Sequence, residues 1–341
     1  MKINTIDMLN AIRNEASTEY QERIPEATRE NLQLLGQALS TYTPMLNEFT
    51  NALVTKIGLQ IFNQKMAVNK LASFKRGMLS NANDIEEIFV EMAKSTGVFD
   101  KEGSNVFGRR ANDIKTLYHR QNYQNTYEIT VSDAQVKNAF QSESGVQSLA
   151  TAIINSMYSG CNYDEYLNMK SLLASYQDDY KVYEVPHMTD EETAKTFLKT
   201  VRKATLDLSF MSTEHNAEGV KTYSEMSDLV LLIHKDIMPT ISVDVLASLF
   251  NVSKAELETA IVVVDDFGSM EDTYALLVDK SFFMMYDTLH QVESIRNPQG
   301  LYTNYFLHIW QIHSLSRFKN AIAFKTPQAL ATSKATSKVK K

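Results

Sequence analysis

Seven histidines, one cysteine and an adjacent pair of aspartates are the side chains here best suited to chemistry, and their spacing works against it. His308 and His313 lie five apart in a segment that alternates like a strand. They therefore fall on opposite faces and cannot share a metal ion. The single cysteine, Cys161, rules out an intrachain disulfide and a zinc–cysteine cluster. No oxyanion signature accompanies it, so a bland buried thiol is expected rather than a nucleophile. Asp265 and Asp266 follow a short apolar run, as catalytic carboxylates often do, but Phe267-Gly268-Ser269 comes next and reads as a solvated turn. Phosphate-cradling glycine patterns and the HExxH metal motif are absent from the sequence. The expectation is a protein that is not an enzyme: no catalytic residue, no metal and no cofactor.

Charge gives a second set of candidates. Residues 243–258 have the outline of a helix-turn-helix, with Val245, Leu246, Leu249, Phe250 and Val252 as its apolar frame. A DNA-reading helix should be basic or rich in amides, yet this one runs Lys254-Ala255-Glu256-Leu257-Glu258 and would bring net negative charge to the phosphates. A DNA-binding regulator is thus the weaker reading, and local packing the stronger. Lys75-Arg76 and Arg109-Arg110 flank the acidic pair Glu86-Glu87. Such pairs form solvated faces or salt bridges between subunits more often than nucleic-acid sites. With a net charge of −7 over 341 residues, any DNA contact must be local, weak and non-specific.

The elements that must position these residues follow from apolar spacing. A hydrophobic share of 44% and a charged share of 22% fit an ordered protein of one elongated domain or a few subdomains. No apolar run approaches the roughly 20 residues that cross a bilayer, and the N-terminus lacks a signal-peptide pattern, so no membrane association is expected. Residues 1–60 read as polar helices with Leu32, Leu35, Leu39, Leu46, Phe49 and Leu53 near helical spacing, broken at Pro25 and Pro44. Having little core of their own, they suit an arm that packs on something else. Residues 62–132 read as a long excursion: a two-stranded ribbon with a short acidic helix at Asp84–Met92. Residues 143–176 carry Val146, Leu149, Ala150, Ile153, Ile154 and Met157 at i, i+3, i+4, i+7 spacing, with Ser142 as a cap. A break is expected at Gly160 to Asn162, with a second helix from Asp164.

Residues 185–290 alternate helices and strands. Glu191–Leu206 reads as an amphipathic helix, and 229–233, 261–264 and 274–278 as buried strands. Two short helices, 243–250 and one capped by Ser253, lie between the first two strands. Asn297-Pro298-Gln299-Gly300 reads as a hairpin turn with positive φ at Gly300. The strand after it bears large side chains on both faces and needs cover on both. Residues 326–341 form a lysine-rich tail.

Several ordered blocks resemble the major capsid proteins of small short-tailed bacteriophages with protein-primed genomes. They include Arg76-Gly77, Asp84-Ile85-Glu86-Glu87-Ile88, Lys115-Thr116-Leu117-Tyr118-His119, Ile153-Ile154-Asn155, Leu277-Val278-Asp279-Lys280, Arg296-Asn297-Pro298-Gln299-Gly300-Leu301-Tyr302 and Ser316-Arg317-Phe318-Lys319-Asn320-Ala321. The similarity runs from about residue 50 to residue 325. It implies an α+β chain with the Hong Kong-type tailed-phage capsid fold. Residues 1–60 would be the N-terminal arm and 62–132 the extended loop over an adjacent subunit. Residues 133–184 and 291–325 would be the peripheral domain with its spine helix, 185–290 the axial domain, and 326–341 a flexible tail. Lys75, Arg76, Glu86, Glu87, Arg109 and Arg110 would be intersubunit contacts, and Pro298 and Gly300 a structural turn. The resemblance further implies many copies of the chain in pentamers and hexamers, a scaffolding protein and portal during assembly, packaged double-stranded DNA, synthesis in the host bacterial cytoplasm and residence in the virion. The shell would be icosahedral in type, or prolate. Some relatives carry an immunoglobulin-like domain after the shell domain, and the short lysine tail stands where it would begin. A cellular encapsulating shell of the same fold is the alternative.

Overall fold

Apolar runs at 229–233, 261–264, 274–278 and 321–324 are rich in β-branched and aromatic residues, and each becomes a strand buried on both faces. The computed structural model describes residues 5–42, 68–79, 84–95, 111–140, 145–241 and 261–327, with single residues and short stretches at 44–52 and 99–109. A five-stranded sheet takes the order β5 (Lys181–Glu184), β11 (Ala321–Lys325), β8 (Thr273–Asp279), β6 (Leu229–His234), β7 (Ile261–Val264). Alternate side chains of these strands feed two cores. Leu229, Leu231, Ile233, Ala275, Leu277, Ile322 and Phe324 face the helix Glu191–Leu208. Val230, Leu232, Leu276, Val278, Ala321 and Ala323 face the other way, toward Met169, Leu173 and Phe282. The helix starts where expected, with Asp190 closing a capping box with Thr193, and runs two residues beyond the expected end. The expected helices at 243–250 and after Ser253, and with them the helix-turn-helix candidate, lie outside the described residues.

A second sheet takes the order β1 (Lys75–Met78), β9 (Phe283–Asn297), β10 (Tyr302–Leu315), β4 (Tyr123–Ser132). Strand β10 runs antiparallel to both neighbours, with Tyr305 opposite Ser294 on one side and Ile129 on the other. Its alternation is strict from Tyr302 to Trp310 and ends there, since Gln311, Ile312 and His313 are all buried. Thr303, Tyr305, Leu307 and Ile309 are buried; Tyr302, Asn304, Phe306 and His308 are half-exposed, and Trp310 is 38% exposed. The chain therefore covers one face of the strand as far as Trp310 and both faces beyond it, and His308 and His313 do fall on opposite sides.

The helix Gly145–Ser175 is continuous, which corrects the expected break near Gly160. At Gly160 the Tyr127 ring lies against the helix, 3.4 Å from where a Cβ would sit. Tyr127 reaches past Gly160 and donates to Asp164 at 2.9 Å, so Asp164 receives a strand side chain instead of starting a second helix. Ile153 and Met157 are buried as the apolar stripe requires, with Leu149 packed beside them. The expected cap Ser142 lies outside the described residues, as do the side chains of Val146, Ala150 and Ile154.

The N-terminal segment departs from its expected lack of a core. Helices α1 (Thr5–Glu15), α2 (Thr18–Arg23) and α3 (Leu32–Thr41) join Met45, Leu46 and Phe49 in one cluster with Val131, Val136, Phe140, Ile153 and Leu307. The Phe49 and Phe140 rings lie 5.3 Å apart. The predicted leucine stripe is thus covered by its own chain; Leu53 is outside the described residues. Helix α4 (Asp133–Ala139) follows β4 directly through a Ser132–Gln135 capping box. Numbered on from it, the long helix Gly145–Ser175 is α5 and the helix Glu191–Leu208 is α6.

Candidate assembly surfaces

The acidic segment after residue 84 is a strand, not the expected helix. β2 (Asp84–Val90) pairs antiparallel with β3 (Ile114–Arg120), Glu87 opposite Leu117. The residue alternation that suits this was present: Ile85, Glu87 and Phe89 turn inward while Asp84, Glu86, Ile88 and Val90 turn out. Pairing with β3 overrides the helical look of the acidic run. The ribbon is pinned along its inner face. His119, buried, bonds Ser314 through Nδ1 at 2.8 Å and Glu87 through Nε2 at 3.1 Å. Ser316 donates to the other oxygen of Glu87 at 2.7 Å, and the Phe89 and Phe318 rings lie 5.7 Å apart. Burial pushes the Glu87 carboxyl up, but the bonds from His119 and Ser316 outweigh it and hold it below its ordinary value.

Lys75, where the excursion leaves the sheet, is held inside the chain. Its ammonium lies 3.2 Å from Glu165 on α5 and 3.1 Å from Asp287 on β9. Gln311 donates to Asp287 at 2.6 Å and its oxygen meets His313 Nε2 at 2.6 Å. His313 stacks on Tyr123 at 4.5 Å. Burial favours neutral Lys75, yet the two carboxylates outweigh it and raise its pKa. Burial raises Glu165, with Lys75 pulling the other way, and pushes His313 down to about 4. Cys161 is a buried thiol pushed up to about 12 by burial and by Glu165, which makes it a poor nucleophile.

The six charged candidates thus separate. Lys75 and Glu87 have partners within the chain. Arg76 bonds the carbonyl of Ser281 and lies over the Tyr286 ring, and Glu86 accepts from Tyr118 on the exposed face of the ribbon. Arg109 is exposed; Arg110 lies outside the described residues. Asp265 and Asp266 are not a bare solvated turn: Lys170 on α5 bridges both at 2.9 and 2.8 Å. Burial pushes Asp265 up, but Tyr166 and Lys170 hold it well below the usual carboxylate range. Sequence reasoning missed Glu165 and Asp287, although Cys161, Glu165 and Met169 share one buried helical row and so point Glu165 into the core. It also missed the exposed apolar residues of the excursion: Ile88, Val90 and Ile114 on the ribbon, then Phe99 at 88% and Phe107 at 99% exposure.

At the hairpin, Asn297 caps the turn by accepting from Gln299 and Gly300. Gly300 does not take the expected positive φ; Leu301, one residue on, takes it instead, at 52°. Glycine is needed at 300 because a Cβ would lie 2.3 Å from the Tyr302 ring, whose hydroxyl bonds Asn297.

Two sheets, a long helix packed into a core beneath each of them and a projecting ribbon define the architecture of tailed-phage shell proteins. The fold matches the capsid structure of Staphylococcus phage Andhra with a TM-score of 0.62 at 12% identity, over 77% of this chain and 86% of that one. The α+β, Hong Kong-type capsid fold is therefore the fold of this chain. The chain belongs to the Phi29-like phage major capsid protein family, whose model matches residues 9–325. It is 38% identical over 327 residues to the major capsid protein of Bacillus phage B103, covering 94% of this chain and 72% of that protein. With the major capsid protein of Bacillus phage PZA it shares 37% over 326 residues, 93% of this chain and 72% of the other.

Proposed function

We propose that many copies of this chain, as pentamers and hexamers, close into a shell around double-stranded phage DNA, and that the chain makes and breaks no bonds. The observation that supports this reading is the exposed apolar set on the excursion, Ile88, Val90, Ile114, Phe99 and Phe107, on a ribbon whose other face is pinned to the body. Large apolar side chains held in water mark a surface meant for a partner. On this reading residues 62–132 lie over a neighbouring subunit, with Arg109 meeting acidic groups there. Residues 133–184 and 291–325 form the peripheral domain, and 185–290 the axial domain. Phe210 and Met211, exposed just past the end of α6, belong to further subunit contacts. Modest contacts repeated over a lattice give a durable container. Assembly would run in the host cytoplasm with a scaffolding protein and a portal.

The test is to express the chain and look for closed particles by electron microscopy. Limited proteolysis supplies a second measurement: free subunits should be cut between about residues 95 and 110, and particles much less. Equal cutting in both states would count against a covered loop.

A further inference from the structure

α6 is amphipathic in an unusual way for an acidic protein. Its inner face, Ala194, Phe197, Leu198, Val201 and Leu208, is sealed against the five-stranded sheet. Its outer face presents Lys195, Lys199, Arg202 and Lys203, all exposed. Lys195 is paired with Glu191 at 2.8 Å, but no ion pair joins Lys199, Arg202 or Lys203 to any described residue. Three unpaired cations within one turn repel one another, a cost with no return inside the chain. Other outward surfaces carry the opposite sign. The open face of the β4–β10–β9 sheet presents Glu128 and Glu293, and the outer ribbon face presents Asp84 and Glu86, with Arg120 paired to Asp84, for a net negative charge. In a chain of net charge −7, this stripe is, among the described residues, a patch where a polyanion meets little repulsion.

We infer that the outer face of α6 is the surface that contacts the packaged duplex, through Lys199, Arg202 and Lys203 on its phosphates. This rests on the shell reading and adds to it the side of the molecule that faces the genome. The geometry fits a rigid polyphosphate. Four residues of helix rise about 6 Å, and a duplex presents one charge per roughly 1.7 Å of axis. Three cations on one helix turn therefore always find phosphates, whatever the base sequence. The stripe presents no Asn or Gln to read base edges, so contact is non-specific.

The test uses soluble full-length subunits and a labelled 30-base-pair duplex of arbitrary sequence, titrated at 50 and 200 mM salt. Three phosphate contacts give a slope near −2.7 in log affinity against log salt, so the parent should lose about 40-fold across that range. K199Q/R202Q/K203Q should bind far more weakly at 50 mM and show almost no salt dependence, while K199R/K203R should keep both. Electron microscopy of each preparation reads assembly separately. Triple-variant particles that form normally, from subunits with the lost salt slope, support the inference. A triple variant that binds like the parent overturns it, as does one that no longer assembles, because the stripe would then be a subunit contact. If the parent itself forms no particles, the shell reading fails, while the duplex titration still decides whether α6 is the phosphate surface.

Discussion

The two ends of the excursion between residues 75 and 120 obey opposite rules. At its root every charge is answered from within: Lys75 by Glu165 and Asp287, Glu87 by His119 and Ser316. Further out the side chains are exposed: Phe99, Phe107 and Arg109 stand in water. The difference shows how one segment can be fixed in direction and still be available for a partner. Buried ion pairs are costly to form and costlier to break, so they hold an orientation well. Exposed apolar side chains add little to the subunit's own stability and gain it only when covered.

The largest effect should come from attacking the root. Lys75→Met leaves the buried Glu165 and the half-buried Asp287 carboxylates without their cation, and should cost about 3 kcal/mol, the low end for a broken buried pair because the lysine is partly exposed. Urea unfolding measures it, and Lys75→Met with Glu165→Gln should recover much of the loss. If Lys75→Met unfolds like the parent, the root is held by the strands alone.

A similar magnitude is expected from acid. His313 titrates near 4 in the fold against 6.5 when free, so its neutral form is favoured by folding. Its contribution is full above pH 6.5 and is lost as pH falls toward 4, on the order of 2–3 kcal/mol in that window. His313→Phe keeps the stack on Tyr123 and should flatten that part of the pH–stability curve. An unchanged slope in the variant would assign the acid sensitivity elsewhere.

The hairpin turn is an intermediate case, internally capped yet at the tip of the sheet. Gly300→Val must displace the Tyr302 ring and its bond to Asn297, a cost of about 1–2 kcal/mol. Circular dichroism should report folded subunits and microscopy aberrant particles. Leu301→Gly relieves a left-handed leucine and should raise stability by about 1 kcal/mol. The smallest change in subunit stability belongs to the far end: Phe99→Ala with Phe107→Ala should shift it by less than about 0.5 kcal/mol. Particle yield should nevertheless fall. Normal yield with normal loop protection would erase the contrast between root and tip.

Elements whose burial repeats along the chain were legible in the sequence. The strands at 229–233, 261–264 and 274–278, the helix beginning at Glu191 and the 297–300 hairpin all carry their own signal. Features decided by distant partners were not. Acidic residues at 84–92 look helical until β3 is laid beside them. Gly160 looks like a break until Tyr127 fills the space above it. Lys75 looks like a surface cation because Glu165 and Asp287 arrive from remote elements. Local propensity is a weak prior wherever such pairings decide.

The uninterrupted run of α5 has a mechanical consequence. At 31 residues it is a strut about 46 Å long. One half is embedded with Ile153, Met157 and Cys161 in the core beneath β10; the other, with Met169 and Leu173, in the core beneath the five-stranded sheet. Cross-ties hold it along its length: Tyr127 to Asp164, Lys75 to Glu165, and Lys170 to Asp265 and Asp266. A tilt of five degrees at one end displaces the other by roughly 4 Å. On the shell reading proposed above, copies seated at points of different curvature would tilt as whole bodies and pass the angular misfit to their contacts with neighbours.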